Sequence, residues 1–135
     1  MQTARRLATL SRAAAARQRE AALRRQRGVL AEQRARAHLE AAGLRFVAAN
    51  VRYKVGEIDL IMADGRTAVF VEVRSRRSLS FGGAAASVVY RKQQRIRLAA
   101  QCWLNQRLGQ RPWPPCRFDV IAIDNGGLDW IPGAF

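Results

Sequence analysis

Histidine is nearly absent from this sequence: His38 is the only one in 135 residues. That excludes a zinc site built on paired histidines and leaves no Ser–His or Cys–His nucleophile pair. Cysteine is scarce as well. Cys102 and Cys116 have neither CxxC spacing nor a neighbouring histidine, so they read as free, semi-buried thiols, with a disulfide as the alternative. No apolar run approaches the ~20 residues that a membrane span needs, which excludes an integral membrane protein, and a cytoplasmic location is expected. The last shortage is of acids: 10 Asp and Glu stand against 24 Lys and Arg, for a net charge of +14. Only Lys54 and Lys92 are lysines. A preference for Arg over Lys explains that choice but not the missing acids. Such an excess attracts polyanions, nucleic acid or an anionic membrane surface. Any catalysis must rest on carboxylates, Arg, Lys, Tyr or a metal bound through oxygen.

What is present suits one ordinary domain, with 49% hydrophobic residues to fill a core. Residues 1–27 differ from the rest. They carry eight arginines, one acid (Glu20), many alanines and no Gly, Pro or aromatic residue. This block reads as a basic arm, disordered or helical when bound to an anion. A transit peptide is the alternative, since such segments are Arg-rich and acid-poor, whereas the apolar stretch of a secretory signal is missing. An α/β domain is expected over residues 28–135. It begins with a helix over about 29–42, capped by Gly43. Strand candidates come next at Leu44–Arg52, Glu57–Ala63 and Thr67–Arg74, the last two joined through Asp64-Gly65, a tight-hairpin signal. Residues 75–87 read as a mobile basic loop, and a second helix covers about Val88 to Leu108. The RPWPP run breaks it to a strand at Cys116–Ile123 and, past Asn125-Gly126-Gly127, to a short LDWI strand.

The chemistry concentrates in GEIDLIMADGRTAVFVEVRSR, residues 56–76. With Asp64 and Gly65 as the two turn residues, Ala63 pairs with Arg66, Asp59 with Phe70 and Glu57 with Glu72. One face is then wholly apolar: Ile58, Leu60, Met62, Val69, Val71 and Val73. The other gathers Glu57, Asp59, Glu72 and Arg74 at the end away from the turn, beside Ile61 and Phe70. Asp59 and Glu72 become diagonal neighbours about 7 Å apart at Cβ, close enough to converge on one Mg²⁺ or Mn²⁺, with Glu57 as a third candidate ligand. Without a cation the crowded carboxylates would take up protons. A solvated face whose acids pair with arginines is the alternative.

This run resembles the PD-(D/E)XK core of restriction-endonuclease-like proteins: helix, three-stranded meander, helix and strand, a mixed sheet flanked by helices. More closely, the chain resembles the YraN family of small bacterial endonuclease-like proteins. The resemblance rests on AE at 31–32, Asn50 with Arg52, GEIDLI at 56–61, VFVEVR at 69–74, FGG at 81–83, RKQQRI at 91–96 and RFDVIAI at 117–123. It implies metal ligation by Asp59 and Glu72, a nearby first-helix carboxylate in Glu32, and Gln93 beside the site from the second helix. Glu32 shares a helical line with Ala35, Leu39 and Ala42, and Gln93 one with Val89, Ile96, Ala100 and Trp103. In one respect the chain departs from the motif, which ends in Lys where this chain has Arg74. Lysine can orient a water, whereas Arg stays charged and cannot act as a base.

Arg52, Arg76, Arg77, Arg91, Lys92 and Arg95 flank the carboxylate end of the hairpin and are expected to contact nucleic-acid phosphates without reading sequence. Trp103 is expected in the core. Trp113, between prolines, either stacks on a base or caps its loop. Three functions are compatible with this pattern. The first is a metal-dependent endonuclease, a phosphodiesterase acting on DNA rather than RNA. The second is a non-catalytic nucleic-acid-binding module on the same fold. The third is an accessory protein whose arm docks on an anionic surface. A homodimer is compatible with each.

Overall fold

The N-terminal sequence is dominated by Ala, Arg, Gln and Leu, all good helix formers. In the computed structural model, which describes residues 1–75 and 88–135, helix α1 accordingly spans Gln2–Ala41. The basic arm is therefore helical, and the helix expected from residue 29 starts far earlier. Gly28 costs such a helix only ~1 kcal/mol, too little to break it. Residues Met1–Leu30 form one compact unit and Ala31–Phe135 another. Within the second unit, α1 ends in the expected Gly43 cap: Gly43 has φ 99°, its N–H donates to the Glu40 carbonyl, and the Leu44 N–H donates to that of Leu39. This pair of bonds satisfies carbonyls that the helix end leaves open.

The strands are β1 (Arg45–Tyr53), β2 (Gly56–Asp64), β3 (Thr67–Ser75), β4 (Cys116–Asp124) and β5 (Gly127–Ile131), with helix α2 (Tyr90–Leu108) between β3 and β4. They form one sheet in the order β1-β2-β3-β4-β5. All neighbours are antiparallel except β3 and β4, which α2 connects as a parallel pair. This is the α/β architecture with a mixed sheet that the resemblance implied. The loop expected over 75–87 lies, from residue 76 onward, outside the described residues. Among the described residues, no helix is long and apolar enough to cross a membrane.

Two clusters of buried apolar side chains cover the sheet. Ala31, Ala35 and Leu39 of α1 pack on Leu60, Met62, Val69, Val71 and Ile121. Ile96, Ala99, Ala100 and Leu104 of α2 pack on Ile58, Ile61, Phe70, Val120 and Ala122. At roughly 25 cal/mol per Å² of apolar surface, these two layers dominate the stability of the domain. Trp103 is half-buried on the second cluster, edge-on to Phe70.

Two expectations about the hairpin need correction. Asp64 pairs with Thr67, Ala63 with Ala68 and Ile61 with Phe70, two residues from the expected register. The turn is Gly65-Arg66, because the residue that must take a positive φ is Gly65, at 59°. A II′ hairpin turn puts its glycine first of the two. A shift of two residues preserves the faces, but alternation itself fails at one position. Ile58, expected with Leu60 and Met62, lies instead in the α2 cluster. The β2–β3 pairing stops at Leu60 and Val71, so β3 no longer fixes the facing of β2 beyond that point.

Candidate functional site

The place where the β2–β3 pairing stops is where the acids meet. Asp59 is the first β2 residue beyond the last pair. Its Oδ2 accepts a hydrogen bond of 2.8 Å from the Val73 N–H, so the carboxyl takes the place of a strand partner. Continuing the register sets Asp59 directly opposite Glu72 rather than diagonal to it. Burial, followed by the Glu72 charge beside it, pushes Asp59 up to about 8, although the Val73 N–H pulls the other way. Burial is the larger cause, and repulsion from the neighbouring carboxylate adds to it in the same direction.

Glu72 is 3% exposed, and a buried carboxylate requires a partner. The partner comes from α2: Lys92 Nζ lies 2.5 Å from Glu72 Oε1. Arg74 Nη1 stands farther off, 3.9 Å from the same oxygen. Sequence reasoning places Lys92 only among the phosphate contacts. The structure instead pairs it with the buried Glu72. Gly56 makes this approach possible: a Cβ there would run into the Arg95 backbone carbonyl, so only glycine lets the start of β2 lie against α2.

The remaining candidates divide. Glu32 is close enough to Asp59 to contribute to its raised pKa, and it accepts a 3.0 Å hydrogen bond from Asn50 Nδ2. Asn50 itself sits at φ 52°, a conformation that Asn tolerates better than most residues. Glu57 is not brought to the pair; its carboxylate faces Arg52 at 3.6 Å on an exposed edge. Gln93 donates from Nε2 to the Val88 carbonyl at 2.9 Å. It thereby anchors the start of α2, whose N-cap Val89 offers no side-chain bond. Arg91 and Arg95 are exposed on α2. Arg76 and Arg77 lie outside the described residues.

Among the described residues, no group of three or more His, Cys, Asp or Glu side chains is arranged to hold a metal ion. The donor set is therefore the Asp59–Glu72 pair. Cys102 is half-buried and Cys116 exposed, both as free thiols. The other buried acid, Asp119, is fully partnered. It accepts from Arg117 Nε at 2.9 Å and Nη2 at 3.1 Å, from Trp130 Nε1 at 3.0 Å and from the Gly133 N–H at 2.9 Å. The RFDVIAI run thus has a structural task, tying β4 to β5 and the C-terminal segment, and Asp119 has no unpartnered oxygen for other chemistry.

Comparison with known proteins adds the family. Residues 31–123 match the model of the uncharacterised protein family UPF0102. A UPF0102 protein of Yersinia enterocolitica is 63% identical over 97 residues, covering 72% of this chain and 83% of its own. One from Serratia proteamaculans is 62% identical over the same shares.

Proposed function

This chain belongs to the UPF0102 family, the YraN family that its motifs resemble, and we propose that it is a divalent-metal-dependent endonuclease acting on DNA phosphodiesters. The observation that carries this reading is the Asp59–Glu72 pair, set side by side on neighbouring strands with Glu72 buried, in a chain of net charge +14. Mg²⁺ commonly uses one or two carboxylates and completes its shell with waters and substrate phosphate oxygens, a donor set that this pair fits. Bound there, Mg²⁺ or Mn²⁺ would polarise the phosphate and lower the pKa of an attacking water.

The chain's own residues have defined parts. The Val73 N–H orients the Asp59 carboxyl, and Lys92 holds Glu72 while no cation is present. With Glu72 otherwise engaged, the Lys92 ammonium is free to orient a water or meet a phosphate oxygen. Arg74 supplies a fixed positive charge beside the phosphate, and Glu32, held by Asn50, adds a third carboxylate at the margin. Gln93 secures the start of the helix that carries Lys92. Arg91 and Arg95 offer the sequence-blind backbone contacts that position a duplex.

A second reading, a binding module that keeps the nuclease fold, is favoured by Arg74 standing where the motif has lysine. Labelled branched, nicked, duplex and single-stranded substrates incubated with Mg²⁺ or Mn²⁺ separate the two. A nuclease cuts at least one substrate and stops in EDTA, whereas a binding module shifts them all and cuts none.

A further inference from the structure

At the opposite end of the same strands is a cavity of about 610 Å³, within the 300–1,000 Å³ range of ligand sites. Its wall is apolar and aromatic, with Trp103, Leu108 and Trp113 prominent, and Arg45, Arg66 and Arg107 stand around it. No acidic side chain lines it, and among the described residues none of the three arginines makes an ion pair. The wall is built rather than incidental. The Ala68 N–H donates to the Pro115 carbonyl at 2.8 Å, fixing the Pro-rich segment to β3. Arg111 closes the end of α2 through the Arg107 and Leu108 carbonyls, at 2.7 and 3.2 Å. Between its two prolines Trp113 remains 44% exposed. A large aromatic held at the mouth of an arginine-bearing cavity calls for a planar, negatively charged ligand.

We propose that this cavity receives an unpaired nucleotide of a nucleic-acid strand, the base stacking on Trp113 and the phosphates meeting Arg45, Arg66 and Arg107. The proposal rests on the proposed action on nucleic acid and specifies its substrate class: strands carrying unpaired nucleotides. Trp–base stacking tolerates any base, and arginines track the backbone. Position supports a strand over a free nucleotide. Helix α2 touches both places, Lys92 at Glu72 and Trp103, Leu104, Arg107 and Leu108 in the cavity wall, and the rise of β2 from Asp59 to Asp64 sets them about 17 Å apart. The rise of α2 from Lys92 to Arg107 gives about 22 Å. A strand threaded between them would lie with its unpaired end in the cavity and a phosphodiester at the carboxylates.

The test uses the full chain in EDTA, so that cleavage plays no part. Fluorescence anisotropy compares a blunt DNA duplex with the same duplex bearing a single-stranded flap. The flapped duplex is expected to bind more tightly. Trp113→Ala should remove about tenfold of that affinity, within the range for one stacked base, and leave the blunt duplex unchanged. Trp113→Phe, which keeps an aromatic face, should restore most of it, and Arg107→Gln should lower the salt dependence of flap binding by about one phosphate contact. Equal affinity for the two duplexes, or a Trp113→Ala loss shared equally between them, overturns the proposal while leaving the nuclease reading standing. Quenching of Trp113 by deoxyadenosine monophosphate without any flap preference overturns it in favour of a free nucleotide. Failure to bind either duplex removes both readings.

Discussion

Lys92 of α2 and Glu72 of β3 form the closest ion pair of the site, 2.5 Å between Nζ and Oε1. A buried carboxylate on the sheet is thereby matched by a cation from the helix that crosses over it. The helix that packs on the core through Ile96, Ala99, Ala100 and Leu104 thus also carries the cation that meets Glu72.

Removing one partner should therefore be felt twice. Lys92→Met should destabilise the metal-free domain by about 1–3 kcal/mol, the usual cost of leaving a buried polar group unsatisfied. Adding Glu72→Gln should recover much of that loss. In cleavage, Lys92→Ala should cost on the order of 10²–10³ in rate, as for one electrostatic stabiliser. Arg74→Lys should keep or raise activity. Urea denaturation and single-turnover cleavage read these separately. A Lys92→Met protein as stable as wild type would show that the pair does not matter to the fold.

Asp59 sets the pH response. Its pKa is raised in the fold, from 3.8 to about 8, so over that interval the folded chain holds a proton that the unfolded chain has released. The stability this proton confers is complete below the lower value and is lost as pH rises through the upper one. Without metal, stability should fall between pH 4 and 8, and Asp59→Asn should flatten that slope. Because Mn²⁺ must displace the proton, calorimetry below pH 8 should show proton release on binding, and affinity should rise with pH. A pH-independent Mn²⁺ affinity would contradict this placement of the carboxyl.

Asp119 makes the contrasting case. With its oxygens taken up by Arg117, Trp130 and Gly133, Asp119→Ala should cost about 3–5 kcal/mol, the range for breaking a buried charge pair. Mn²⁺ affinity at the remaining folded fraction should be unchanged. Reduced metal affinity without lost stability would reverse that assignment.

The sequence announced the order of elements, because hairpin, helix-cap and apolar patterns are local. Gly43, the apolar stripe of α1 and the acidic end of β2–β3 were all legible in it. The two-residue register error came from assigning Asp64 to the turn, when the position needing a positive φ was that of Gly65. Ile58 changed faces where the pairing ends, and strand alternation gives no sign of where pairing will end. The role of Lys92 depends on how α2 crosses the sheet, which no local pattern records. Gly56, whose missing side chain admits the Arg95 carbonyl, was the one local hint of that close crossing.

The helical arm offers a simple deletion. Residues 1–27 bring eight arginines and one acid, and the buried positions of α1 begin only at Ala31. A chain lacking residues 1–27 should keep its cooperative unfolding but bind DNA more weakly, with a shallower dependence on salt. Loss of folding, or an unchanged salt slope, would count against an arm that acts through charge alone.

The most direct test is single-turnover cleavage of a branched duplex in Mn²⁺ by wild type and by Asp59→Asn, with DNA binding measured on both. The expected result is cleavage by wild type, none by Asp59→Asn, and similar DNA affinity for the two. Cleavage that survives Asp59→Asn, or a wild type that binds the branch and never cuts it, would contradict a metal-dependent hydrolytic site at Asp59 and Glu72.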